Sequence, residues 1–273
     1  MARLQSENLK AFDVAPTPWQ PSGLPPGIAI RVLNEDDESG AVTALLDIPA
    51  GWSWPGPGYC LADQDIFILS GAIRIGEHML ENGGFFYYPK GVKQCGWVSV
   101  QGCRLYVIFN DRPKFIESEK STEEAHISKT VPGLDTWAME WFDPLAVSTP
   151  SVPLPPGIFV KVLRQDQDTG AASRLTGLMP GWHAEGIEVH PIREESLVIC
   201  GDVNIGMVGD GPGYTATAGS YYSRPGGVPH GPLSSKNGQV GLVHSDGILG
   251  IDYQTHPDAK KLIAKHLQTY PWQ

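Results

Sequence analysis

The sequence predicts an all-β protein made of two copies of one fold. Its 273 residues include 32 glycines and 24 prolines, more than a fifth of the chain, set between many short apolar runs. Gly and Pro mark turns, and short apolar runs bounded by turns are strands. The sequence also repeats itself: Leu24-Pro-Pro-Gly-Ile28 returns as Leu154-Pro-Pro-Gly-Ile158, Arg31-Val-Leu33 as Lys161-Val-Leu163, Gly51-Trp52 as Gly181-Trp182, and Ile75-Gly76 as Ile205-Gly206, at a constant offset of 130 residues. Past the extra residues around Gly209-Asp-Gly-Pro-Gly213 the offset becomes 136, with Pro89 answering Pro225. Self-similarity of this kind means a duplicated structural unit.

Taken in order, the copies span about residues 20–111 and 150–246, giving an N-terminal domain 1–111, a connector 112–149 and a C-terminal domain 150–273. The connector is expected to be partly helical. Pro113-Lys-Phe-Ile-Glu-Ser-Glu-Lys is charged and amphipathic, and Asp135-Thr-Trp-Ala-Met-Glu-Trp could cap a further turn. The tail from Pro257 to Tyr270 reads as a C-terminal helix, with Pro at its start and Pro271 as its stop. The formal net charge of −10 and the lack of a basic patch exclude nucleic acid as a partner, because phosphate contact needs clustered Lys and Arg. No segment approaches the ~20 apolar residues of a membrane span, and the N-terminus lacks an apolar signal core, so a cytoplasmic protein without a membrane partner is expected. The cysteines Cys60, Cys95, Cys103 and Cys200 match no zinc-finger spacing and read as reduced thiols.

Chemistry concentrates in the second copy. Glu188 and His190 are i and i+2, so on a strand they leave one face together. Glu194 opens the next apolar run, and His230 follows a Pro/Gly turn that ends the aromatic strand at Tyr221 and Tyr222. Two strands and a turned return can bring these four groups to one point. In the first copy Glu188, His190 and Glu194 become Gly58, Cys60 and Gln64, and His230 becomes Gln94. The scaffold is shared and the ligands are not, which points to one metal site, in the second copy.

Gly219-x5-Pro225-x-Gly227-x2-His230-x3-Ser234 resembles the second cupin motif, with Ser where Asn is usual. Gly181 to Gly201 resembles the first motif, with Glu188 at the position of its first His. Gly-Val-Pro-His230-Gly-Pro and Lys161-Val-Leu-Arg-Gln-Asp-x-Asp-Thr-Gly170 look most like the ChrR-like cupins. The resemblance covers both halves and implies a bicupin: two tandem double-stranded β-helix (jelly-roll) barrels, the first degenerate. It implies one divalent metal ion per chain on Glu188, His190, Glu194 and His230, a small-molecule substrate, and a fold that allows a homodimer through strand edges. Two carboxylates and two imidazoles make a formally neutral centre, which favours Fe(II), then Mn(II), over copper, and leaves Zn(II) or Ni(II) open.

Two further residues depart from the first copy. Arg174 replaces Ala44 and is a candidate either to hold a substrate carboxylate or to be a solvated strand residue; His244 replaces Ile108, whose apolar character suggests an inward position, with an acid/base role or that of a satisfied core histidine. His183 and Glu185 are expected at the rim, and one of Tyr221 and Tyr222 is expected to face the barrel interior. The leading functional expectation is an iron(II) dioxygenase cleaving a small diketone or hydroxyketone. The alternatives are a non-redox hydrolase, lyase or isomerase, or a metal-holding sensor module; no anti-sigma segment accompanies the cupin-like halves, which counts against the sensor.

Overall fold

The computed structural model describes residues 5–144 and 155–248, and the backbone of the strand Asp252–Gln254. The regular secondary structure of the described residues is nearly all strand, and the chain divides into two compact units. One holds Ala11–Met139; the other holds Gln5–Lys10 together with residues from Glu140 onward. Among the described residues no helix is long and apolar enough to cross a membrane.

Each unit hangs on one long strand. In the first it is Gln64–Ile75, and in the second Glu194–Val208. The leading half of Glu194–Val208 lies between Ser220–Arg224 and Gln239–Ser245; its trailing half pairs with Gly211–Thr217 and His230–Ser234. The two halves are separated by a bulge at Val198/Cys200, next to Gly201 at φ 78°. A Cβ on Gly201 would lie 1.9 Å from the Gly238 carbonyl oxygen, so only glycine lets the two backbones approach there. Gly71 repeats the arrangement against the Gly102 carbonyl oxygen at 2.2 Å. The repeated glycine thus makes the same bend in both units.

The interiors differ. In the first unit the face bearing Gln64 is packed with Val42, Ala44, Leu46, Ile66, Ile68, Phe86, Tyr88, Leu105, Val107 and Phe109, all buried. The opposite face of the same strands carries Phe67, Tyr106 and Ile108, also buried.

Among the described residues the connector is mostly strand and turn where helix was expected. Phe115–Glu117 is a strand pairing with Gly58–Cys60, and Val131–Asp135 pairs with Gly84–Tyr88. Phe115 explains the first: it is buried edge-on to Trp54 at 5.3 Å and to Trp97 at 5.7 Å. Burying one aromatic ring outweighs the weak helix preference of a short charged segment. Asp135 Oδ1 accepts the backbone N–H groups of Trp137 and Ala138, which closes a turn where a helix cap was expected. A 3₁₀ turn at Ile127–Lys129 is a helical part of this segment. Residues to Met139 therefore belong to the first unit, past the expected boundary at 111. The expected helix from Pro257 to Tyr270 lies outside the described residues.

Candidate metal centre

Glu188 lies on the strand Ile187–Val189 and His230 opens the strand His230–Ser234, where the two residues face each other in register. Directly opposed residues of an antiparallel pair share a face. His190 follows two residues after Glu188, and Glu194 starts the long strand. All four are buried. His190 Nε2 is 3.7 Å from Glu188 Oε2 and 3.7 Å from Glu194 Oε2; His230 Nε2 is 3.9 Å from Glu188 Oε2. Donor atoms of Glu188, His190 and His230 all lie within 4.8 Å of one another. Glu194 joins this triad through its approach to His190.

These spacings are too long for hydrogen bonds. They fall between the ~3 Å and ~4.2 Å separations of neighbouring and opposed donors around an ion held at about 2.1 Å. Glu188, His190 and His230 converge on a common point, and Glu194 reaches that cluster at His190. His230 Nδ1 donates to the Val228 carbonyl oxygen at 3.2 Å, which leaves Nε2 as the unprotonated donor. Burial, with Arg224 nearby, pushes the His230 imidazole down to about 3, so the ring is neutral and able to ligate. For Glu194 burial works to raise the carboxyl, yet His190, His230 and the arginines 224 and 174 together hold it below the usual range. Its Oε2 is buried without a hydrogen-bond partner. A charged, shielded, unpartnered carboxylate oxygen is costly unless a cation completes it. The residues present therefore fit a divalent ion.

Around the site, the strand register sorts the second copy's other polar residues. Glu194 faces Arg224 on one neighbour and Ser245 on the other; Ser196 faces Tyr222 and Val243; Arg174 faces Val243. Strand alternation puts Arg174, Ser196, Tyr222, Arg224 and Ser245 on the face of Glu194. His244 is corrected by the same register. It faces Glu195, one residue off, and its Nδ1 is 2.9 Å from Ser173 Oγ on the opposite face. A one-residue step exchanges the faces of a strand, and His244 is on the one turned from Glu194. Tyr221 is there too, donating to Glu195 Oε2 at 2.9 Å, while Tyr222 is on the site's face. His183 and Glu185 are exposed side chains, 3.9 Å apart.

Arg224 and Glu7 were not singled out by the sequence. Arg224 Nε and Nη2 donate to Glu7 Oε1 and Oε2, each at 3.0 Å, and its guanidinium lies 4.1 Å over the Tyr222 ring. Nη2 also donates to Tyr214 Oη at 2.8 Å, and Tyr214 in turn donates to Glu7. Glu7 arrives on the strand Ser6–Lys10, which pairs with Ser220–Arg224. The available signal for Arg224 was its counterpart Tyr88; nothing local pointed to a partner 217 positions away.

The equivalent place in the first unit is filled. A Cβ on Gly58 would lie 2.3 Å from the Ile116 carbonyl oxygen and 2.8 Å from Trp54 Cζ2, so backbone and indole together close the place where Glu188 carries its side chain in the second unit. Trp97 Nε1 donates to Gln94 Oε1 at 3.0 Å, and burial pushes the Cys60 thiol up to about 12, away from the thiolate that ligates metals. Among the described residues the metal-like cluster is that of Glu188, His190 and His230.

A family profile described as a domain of unknown function (DUF4437) matches residues 26–252. No curated protein matches the sequence. Among solved structures, a candidate dioxygenase from Nostoc punctiforme PCC 73102 is 21% identical with a TM-score of 0.77, covering 93% of this chain and 87% of its own. Lactobacillus farciminis oxalate decarboxylase, in a formate complex, is 11% identical with a TM-score of 0.61, over 97% of this chain and 94% of its own. A variant of Bacillus subtilis oxalate decarboxylase is 12% identical with a TM-score of 0.59, over 97% and 84%. At such identities the likeness is one of fold, and that fold is the cupin fold.

Proposed function

The chain belongs to the family described as a domain of unknown function (DUF4437), and from its cupin fold and the site above we propose that it is a metal-dependent enzyme acting on a small oxygenated molecule. One divalent ion per chain is held in the second unit by Glu188, His190, Glu194 and His230. The observation that carries this is the convergence of three buried donors within 4.8 Å of one another, beside a fourth carboxylate whose Oε2 has no hydrogen-bond partner. In the first unit the same position is closed by the Ile116 carbonyl and the Trp54 indole, so that unit serves as scaffold.

The leading reaction is oxygen-dependent cleavage of a carbon compound, with Fe(II) as the ion. Two carboxylates neutralise a divalent charge, which favours hard, oxidisable ions, and the fold's likeness to a candidate dioxygenase agrees. When bound, such an ion supplies Lewis acidity and one-electron chemistry. The chain's own residues do the rest. His230, neutral and fixed by the Val228 carbonyl, keeps one nitrogen aimed at the site. Burial pushes the Tyr222 hydroxyl up to about 12, so it stays protonated near neutral pH and can donate to a substrate oxygen. The buried Trp182, Ala184, Val198 and Ile205 keep bulk water from that side of the unit.

The test is elemental analysis of protein purified without added metal, followed by oxygen-electrode screening with diketones and hydroxyketones. One equivalent of iron and substrate-dependent oxygen uptake are expected. Turnover without oxygen uptake would replace dioxygen chemistry by a non-redox reaction at the same ion, and a chain that takes up no divalent ion would refute the proposal.

A further inference from the structure

We propose that the second unit selects a small organic anion, and that Arg174 anchors the substrate's carboxylate; this rests on the metal-dependent reading above. The duplication supplies the comparison. On the face that bears the ligand Glu194, the first unit carries Val42, Leu46, Ile66, Leu105 and Phe109; the second carries Ala172, Thr176, Ser196, Gly241 and Ser245 at the corresponding register positions. Every one of these side chains is smaller, and three of them add a hydroxyl. At these positions the wall is shorter and more polar, with the Gln239 amide standing where a Cβ on Gly241 would be, and a polar lining of this kind is what a small polar guest requires.

Two cations stand on that face, and they are not equivalent. Arg224 is neutralised: Glu7 takes two of its hydrogen bonds and Tyr214 Oη a third. Arg174 keeps a donor in reserve. Its Nη2 is shut away from solvent and has no hydrogen-bond partner, and Glu194 Oε2 on the same face also lacks one, so the two charges attract one another across the site while these two atoms stay unbonded. Each keeps its bonding capacity for something else. For Glu194 that is the metal ion. For Arg174 it is a planar anion, because a guanidinium presents a fork of donors that matches a carboxylate. Ala44 shows that the fold does not need an arginine here.

The charge balance agrees. Two carboxylates and two neutral imidazoles around a divalent ion sum to zero, so an anionic substrate entering this buried place brings an uncompensated negative charge. Arg174 supplies the missing positive one. The substrate class that follows is a small carboxylate bearing a further oxygen, a hydroxy or keto acid, whose acid group meets Arg174 while its other oxygen faces the metal ligands.

Metal-loaded protein titrated calorimetrically with glycolate, pyruvate and malonate, against neutral hydroxyacetone, tests this. The wild type is expected to bind the anions and to prefer them to hydroxyacetone. Arg174→Gln should weaken the anions about 10- to 100-fold while leaving hydroxyacetone and metal content unchanged, and Arg174→Lys should fall between. Arg174→Ala, the residue of the first copy, provides a second variant should Gln disturb folding. Equal anion affinity in wild type and variants at equal metal content, or preference for the neutral ligand, would overturn the proposal. Absence of metal together with Arg174-dependent anion binding would refute the metal reading, and with it the placing of the substrate's second oxygen, while upholding Arg174 as the carboxylate anchor.

Discussion

Glu7→Ala removes the acceptor for two bonds from a guanidinium whose side chain is only 3% exposed. Taking away one partner of a buried ion pair costs about 3–5 kcal/mol, because the other charge is left desolvated. The Glu7 side chain is itself 22% exposed, so water can recover part of the loss, and the lower end, about 3 kcal/mol, is the better figure. At roughly 3 °C per kcal/mol for a unit of this size, the melting transition of the second unit should fall by about 10 °C. The released Arg224 has one obvious new acceptor, since Glu194 is its cross-strand partner. Metal affinity should therefore fall together with stability. Scanning calorimetry and metal titration of Glu7→Ala, Arg224→Met and the double variant form the cycle. In the Arg224→Met background the Glu7 substitution should cost little, because no charge remains to be stranded. A single variant melting within about 2 °C of wild type, or an equal cost in both backgrounds, would show that the pair does not hold this part of the sheet.

Elemental analysis should give one equivalent of metal per chain, lost in His190→Ala and retained in Cys60→Ser, since Cys60 is packed in a unit whose ligand place is filled. Glu188→Gln should lower metal affinity and Glu188→His should keep the ion while raising any redox potential by added positive charge; unaltered affinity in both variants would remove Glu188 from the ligand set. Alkylation at pH 8 should modify the exposed Cys95 and Cys200 and spare the buried Cys60 and Cys103, because only the thiolate reacts and burial pushes both buried thiols up, Cys60 to about 12. Mass spectrometry reads the result.

The grouping of Glu188, His190 and His230 was legible because its signals are local: two residues apart across the end of one strand, a turn before His230, and a second copy that lacks them. His244 was misread for a physical reason. Its counterpart Ile108 is apolar, but both faces of that first-unit strand are buried, so an apolar residue does not mark the interior one. Only the register, which pairs His244 with Glu195, separates it from Ser245. The connector misled similarly. Its charge pattern suits a helix in isolation, while Phe115 finds a place among Trp54 and Trp97 that no local pattern announces. Arg174 could be noticed from Ala44, but its unpartnered Nη2 needs the packed structure. Glu7 and Arg224 form a pair that sequence separation hides altogether.

The filled pocket of the first unit has a consequence for how the molecule responds to heat. Trp54, Trp97, Phe109 and Phe115 interlock edge to face where the other copy keeps two acids, two imidazoles and a wall of short polar side chains. Cutting large apolar groups back to small ones inside a fold weakens it, and unpartnered charges weaken it further. Stripped of metal, the second unit should be the softer of the two and melt first, and restoring the ion should move that transition upward while leaving the other in place. One polypeptide would then hold both a thermometer for ligand occupancy and, in its aromatic twin, the fixed point against which to read it.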